Sequence, residues 1–481
     1  MKYFPAPNAV VSNVVNYVAP DPVIRQKYYS FVTRVDHTIN ENNKLNATFY
    51  KSVLNQQYPD MGFPQGIGPT NEGEAVYRNN AGGGLDYVRI FPNDWVLNAR
   101  IGVLYHPFGV ILPGLNFDLA SLGINPAGLG YQSFPGLTFS DNYLGLQGAT
   151  PLVPNTSQVT SQISHDTNAS AAAIVSKVIG SHSLRFGFEG LLERYNAANP
   201  LSGLGTFNFS RQFTQKNSVD TIVGGDASSG NPIASLLLGY PTSGNYSAQV
   251  SYAIQQPYAA LFIQDNWKAR RNLTLNLGLR WDYQAPYTER NNQLNTGFCT
   301  TCVNPLQNSV PGLNLLGGLE FISSGSRHYY PSELHDWQPR FGISYAITPR
   351  VVFHGGVGLT YINSMESPFG QGFSATTNYI ATNDNTTPLT SIANPFPTGT
   401  VPPSGSSLGL ATLVGQPLSF IAPGYVRPSL LQWSASLQTR LPGNIVLQPA
   451  YVANRVYHWE ISKDINALPA QYNLGTPDNV K

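Results

Sequence analysis

Few side chains of this sequence are spaced for chemistry. Cys299 and Cys302 are its only cysteines, in the order Cys-Thr-Thr-Cys. That spacing supplies half of a zinc site, but zinc takes four ligands and no second CxxC or nearby HxxxH accompanies it. A redox dithiol would need a βαβ context, which is absent. The remaining reading is a disulfide that pins a loop tip in an oxidising compartment. Gly405-Ser-Ser407-Leu-Gly409 matches GxSxG, a nucleophile only at a strand-to-helix elbow. Here Val401-Pro-Pro-Ser404 precedes it, which predicts a loop. Gly355-Gly-Val-Gly-Leu-Thr360 lacks phosphate-loop spacing, and its glycines fit a crowded strand better. The 8 histidines do not cluster at metal spacing. His335 and Asp336 are adjacent, so a strand would send them to opposite faces. No acid pair or Ser/His/Asp set is spaced suggestively. No catalytic, cofactor or metal residue is therefore expected.

The elements that carry these residues are more telling. Of 481 residues only 11% are charged, 27 Lys and Arg against 26 Asp and Glu, where an ordinary soluble domain carries roughly 25%. A net charge of +1 leaves no basic footprint for nucleic acid. Two cysteines exclude a disulfide framework, and 42% apolar residues with 12% aromatics argue against disorder. No apolar run approaches the length of a transmembrane helix. Low charge, 27 Tyr, 23 Phe, 45 Gly and no long apolar run point to an antiparallel transmembrane β-barrel, whose alternating strands escape hydropathy scans.

The alternation is clearest at 273–283. Leu273, Leu275, Leu277, Leu279, Trp281 and Tyr283 share one face; Thr274, Asn276, Gly278, Arg280 and Asp282 share the other. A membrane-crossing strand needs about 9–11 residues. The pattern recurs at Trp95–Tyr105, Leu184–Phe188, Phe341–Ile347, Val351–Tyr361 and Leu431–Leu441. At 258–267 and 445–454 apolar residues fall on both faces, and the phase stays open. The polar faces carry Arg34, Asp36, Arg100, Arg185, Glu189, Arg280, Asp282, Arg340 and Arg440. These would face the lumen, either lining a conduit or as cross-strand pairs that merely satisfy its wall. Trp95, Trp267, Trp281, Trp337 and Trp433 lie near strand ends and suit interfacial girdles.

Connections alternate between two lengths. Short ones fall at Asn40–Asn43, Phe91–Asn93, Gly180–His182, Arg270–Asn272, Thr348–Arg350 and Pro442–Asn444. Long Gly/Pro/Ser/Asn-rich stretches lie at about Ser52–Ala75, Pro107–His165, Asn196–Gln256, Pro286–Asp336 and Asn363–Arg427. Short periplasmic turns and long extracellular loops are the sidedness of an outer-membrane barrel. These turns predict about twelve strands. A soluble sandwich would place Lys and Glu on its exposed face, which most of these strands lack.

Four segments carry a family resemblance: Tyr29–Ser52, Phe262–Pro286, Trp337–Asn363 and Arg427–Asn466. Each is similar to a strand-turn-strand unit of TonB-dependent receptors, of the Oar-like group. The resemblance implies a barrel of about 22 strands with a plugged lumen, preceded by a TonB box and a carboxypeptidase-regulatory-like sandwich. No segment matches a plug, TonB box or sandwich, the opening Met1-Lys-Tyr-Phe-Pro5 reads as no signal peptide, and the end Gly475–Lys481 is no aromatic-ended strand. Residues 1–481 thus read as one partial barrel domain. The implied partners are outer-membrane lipid, the TonB complex through a plug outside these residues, and an extracellular ligand of unspecified class; nucleic acid is not expected. The implied place is the Gram-negative outer membrane. A passive porin or adhesin, and less readily a secreted β-rich glycan-active enzyme, are the alternatives.

Overall fold

Alternating side chains leave the backbone of each segment extended, and extended segments joined by tight turns pair antiparallel. A computed structural model describes residues 8, 18, 23–58, 75–111, 117–129, 132–140, 162–198, 204–216, 229–362, 370–422 and 424–467. The opening residues of the chain and the tail Gly475–Lys481 lie outside the described residues.

Twelve long strands form the wall: β1 (Arg25–Asn40), β2 (Asn43–Gln57), β3 (Ala75–Phe91), β4 (Trp95–Ile111), β5 (Gln162–Ile179), β6 (His182–Ala198), β7 (Tyr252–Arg270), β8 (Leu273–Gln284), β9 (Asp336–Thr348), β10 (Val351–Tyr361), β11 (Ser429–Arg440) and β12 (Ala450–Tyr457). Each pairs antiparallel with its sequence neighbours, and the sheet runs β1 to β12 without crossover. Among the described residues the sheet does not close on itself, and β1 and β12 each have one unpaired edge. Among the described residues no helix is long and apolar enough to cross a membrane.

The six expected short turns join the hairpins. Those at Pro92–Asp94 and Pro442–Asn444 place two successive residues in the left-handed region, Asn93 and Asp94 at φ 63° and 60°, Gly443 and Asn444 at 78° and 61°. Asn, Asp and Gly tolerate that region best. Strands extend further into the loop side than the sequence suggested. β4 runs on past Pro107, and β6 and β7 pair out to Ala197 and Tyr252.

Register turns alternation into two surfaces. One outward row reads Tyr87, Ala99, Ala173, Phe188, Leu261, Trp281 and Trp337 across β3 to β9. Phe188, Leu261 and Trp337 remain exposed in the chain itself, as lipid-facing residues must. Trp281 and Trp337 lie 6.4 Å apart near the loop side. Near the turn side, Trp267 stacks on His182 at 5.2 Å and the Lys177 ammonium sits 5.6 Å from the Trp95 ring. These are two interfacial belts.

Both open phases resolve. In β7, Leu261 and Ile263 turn outward against Trp281 and Leu279, while Tyr258 and Phe262 turn inward. Gly187 makes room for Phe262: a Cβ there would stand 2.1 Å from the ring. In β12, Tyr451 and Ala453 share the outward face with Trp433.

The long loops are more ordered than their composition suggested. Strands Gly136–Phe139, Leu204–Phe209, Ser243–Gln249 and Ser374–Asn378, from three different loops, form a separate four-stranded sheet. Its Gly136–Phe139 and Leu204–Phe209 pair is parallel. Leu119, Ile124, Phe134, Leu137, Phe207, Phe209 and Tyr379 bury themselves around it. A helix at Pro232–Leu238 leans on this cap, opened by the Asn231 side chain, which accepts from the Ile233 N–H at 2.8 Å. A hairpin of Asn295–Val303 and Leu316–Phe321 lies beside a second cluster of Tyr287, Leu294, Ile322 and Tyr329.

Candidate functional site

The inward face of the wall carries the charges singled out from alternation. One row reads Asp36, Asn46, Asp86, Arg100, Ala172, Glu189, Ala260, Asp282 and Asp336 from β1 to β9. Strand pairing therefore gathers acids in one row, and arginines from that row and its neighbours answer them. Arg34 pairs with Asp36 at 2.7 Å along β1. Arg100 approaches Asp86 at 3.4 Å and donates to Asn98 Oδ1 at 2.7 Å.

Arg280 is the best-connected of these residues. Its Nε donates to Asp282 Oδ1 at 2.7 Å, and its Nη2 to Glu189 Oε2 at 2.6 Å and to the Tyr258 hydroxyl at 2.7 Å. Asp282 faces Asp336 across the β8–β9 register. The Arg427 Nη1 donates to Asp336, so each of the two facing carboxylates has its own guanidinium. Arg185 and Arg340 share a depression of about 420 Å³ with Arg280 and Glu189. Arg440 stands apart at the turn side, donating to Asn444 Oδ1 at 2.8 Å. Asp86, Tyr258, Asp336 and Arg427 are the partners that sequence reasoning missed. Asp86 lies within β3, a strand the alternation had not singled out, Tyr258 takes the inward phase of β7, Asp336 opens β9, and Arg427 lies in a loop.

Above this row, where β5, β6 and β7 meet the loops, a cavity of about 650 Å³ opens inward. Asp166, Glu193, Tyr195 and Tyr252 line it from the wall, and Tyr287 and Gln293 from the loop that follows β8. Asp166 Oδ2 meets His106 Nδ1 at 3.3 Å. Tyr195 and Tyr252 rings are 6.0 Å apart. Just beneath, Gln284 Nε2 donates to Gln256 Oε1 at 2.9 Å, and Gln256 Nε2 to the Tyr330 hydroxyl at 3.1 Å. This floor fixes the lower rim.

The loop motifs fall elsewhere. Cys299 and Cys302 sit on the strand Asn295–Val303 with their sulfurs joined and Cα atoms 5.7 Å apart. Glu320 is near enough to complete a three-ligand cluster, but joined sulfurs offer no thiolate to a metal. Residues 405–408 form turns that run into a short 3-10 segment at Gly409–Ala411, and the Ser407 hydroxyl donates to the Ser404 carbonyl at 2.6 Å rather than to any base. At Gly355 an added Cβ would press on Phe353 and Ile343 at 3.1 and 3.3 Å, a packing role. Two loop groups titrate away from their ordinary range. The N–H groups of Thr387 and Thr386 hold the Asp384 carboxylate low, and burial pushes the Tyr379 phenol up.

No curated protein matches the sequence. Among solved structures the chain is similar to the outer membrane transporter YddB of Escherichia coli, with 10% identity, TM-score 0.46, and coverage of 89% of this chain and 40% of that one. It is also similar to the alcaligin receptor FauA of Bordetella pertussis, with 8% identity, TM-score 0.43, and coverage of 93% and 46%. A third is the ferric-catecholate import receptor Fiu of Escherichia coli, with 12% identity, TM-score 0.41, and coverage of 90% and 52%. The chain thus spans about half or less of the length of each. The family model of an outer membrane beta-barrel domain matches residues 1–481. With a lipid-compatible outer face, a charged inner face and short turns opposite long loops, the chain belongs to the outer membrane beta-barrel domain family and forms wall in the Gram-negative outer membrane.

Proposed function

We propose that this chain is wall and ligand-capturing mouth of a TonB-dependent receptor of the Oar-like group, working in energy-coupled uptake. The carrying observation is the resemblance of four strand-turn-strand segments, Tyr29–Ser52, Phe262–Pro286, Trp337–Asn363 and Arg427–Asn466, to that group. A cavity at the loop side supports the reading, since a receptor must hold its ligand before moving it. In this reading a plug outside these residues fills the lumen against the inner charges, and the TonB complex pulls on the plug. The loops capture an extracellular ligand, the outer face contacts lipid, and the chain makes or breaks no covalent bond. The test is site-specific cross-linking of the full-length protein to TonB in cells. Cross-links that depend on a TonB box, with ligand uptake lost when TonB is deleted, support the proposal. A TonB-independent open conductance of the purified protein in planar bilayers would replace it with a passive porin.

A further inference from the structure

The mouth cavity has a chemical bias. Its inward carboxylates, Asp166 and Glu193, belong to adjacent strands β5 and β6 and are offset by one register step: Glu193 pairs with Asn168, and Asp166 with Tyr195. Among the described residues Glu193 has no hydrogen bond or ion pair. Asp166 has His106 on one oxygen, while its other oxygen, Oδ1, is buried with no donor. Across the cavity Gln293 Oε1 is likewise buried with no donor. An acceptor removed from water without a donor is costly, so the lining favours a ligand that brings donors. Arg194, between them on β6, also borders the cavity, but strand alternation sends its side chain to the face opposite Glu193 and Tyr195, and among the described residues no ion pair joins it to either carboxylate. The remaining lining includes the tyrosine rings Tyr195, Tyr252 and Tyr287. Ring faces attract cations.

We infer that this cavity is a binding site for an organic cation, a ligand that brings ammonium or guanidinium N–H groups to Asp166, Glu193 and Gln293 and lays its apolar stem along the tyrosines. An anion would face two carboxylates. A neutral glycan could donate hydroxyls but would leave both charges uncompensated. The inference names the ligand class for the mouth and rests on the receptor reading above. Binding to purified protein needs no energy coupling, so the two fail separately.

The experiment is calorimetric titration of the purified full-length protein in detergent with tri-lysine, tri-glutamate and maltotriose. The expected result is saturable binding of tri-lysine alone, weakened at least five-fold by Glu193→Gln and by Asp166→Asn. Arg440→Gln, at the far end of the wall, serves as a control and should leave it unchanged. The probe panel on the unaltered protein decides the matter even if a variant fails to fold. Binding of maltotriose or tri-glutamate in place of tri-lysine would overturn the assignment, as would tri-lysine affinity within two-fold in both acid variants. If tri-lysine binds but uptake proceeds without TonB, the site stands and the transport reading fails; the converse result removes the site alone.

Discussion

Replacing Arg280 with methionine tests the inner wall directly. Methionine keeps the stem beside Phe262 but removes three charge-assisted hydrogen bonds of 2.6–2.7 Å. Their worth differs by partner. The Glu189 side chain is 40% exposed, so that pair falls near the surface value of about 0–1 kcal/mol. The Asp282 side chain is 8% exposed and Arg280 19%. Stripping a nearly buried carboxylate of its donor costs about 1–3 kcal/mol. Asp282 also faces Asp336 in register, so its charge would be left against another carboxylate. The expected total is roughly 3 kcal/mol for Arg280→Met, with about 2 kcal/mol for Asp282→Asn and less than about 1 kcal/mol for Glu189→Gln. Replacing both partners, Arg280→Met with Asp282→Leu, should recover most of the loss, since a missing pair costs less than a broken one. The assay is reversible urea unfolding of the full-length protein in lipid vesicles, followed by tryptophan fluorescence. A loss under about 0.5 kcal/mol for Arg280→Met, or a larger loss at Glu189 than at Asp282, would refute the reasoning.

Other expectations follow from the same geometry. Leu261→Arg, on the outward row, should cost about 2–4 kcal/mol in vesicles, whereas Gln264→Arg on the inward face should cost far less; equal losses would mean the faces are reversed. Gly187→Ala drives a methyl into Phe262 and should cost about 1–3 kcal/mol, relieved by Phe262→Leu; absence of that coupling in a double-mutant cycle would contradict the packing. Intact mass after alkylation without reductant should show Cys299 and Cys302 unmodified, and both modified after reduction. The 481-residue chain by itself should give no compact heat-modifiable band on a cold detergent gel, because open sheet edges are not tolerated in lipid; such a band would show that the edges of β1 and β12 find each other.

The wall was legible because a membrane strand must repeat every two residues, and Leu273–Tyr283 does so cleanly. The phase at 258–267 was not. Tyr258 and Phe262 point inward for reasons written on other strands, the guanidinium of Arg280 and the missing side chain of Gly187. Strand ends ran past the apparent loop boundaries because pairing continues where the apolar face stops, as at Ala197 opposite Tyr252. The mouth cavity straddles that boundary: Tyr252 and Ile254 looked like loop residues, and Asp166 and Glu193 stood just outside the apparent loops. The only trace was the polar residue at every second position through Ser164, Asp166, Asn168 and Ser170. The cap was illegible for another reason: Phe207 finds Leu137 and Tyr379 only after three loops converge, and no window of sequence contains that contact.

The parallel seating of Gly136–Phe139 on Leu204–Phe209, with Ser374–Asn378 added at the far edge of the same sheet, has an immunological consequence. Whatever recognises this outer surface from the environment, an antibody or a phage tail fibre, meets an epitope assembled from three separated stretches of chain. Sera raised against any one loop as a linear peptide should bind the denatured protein and miss intact cells. Sera raised against the folded protein should lose their target when any one of the three loops is exchanged.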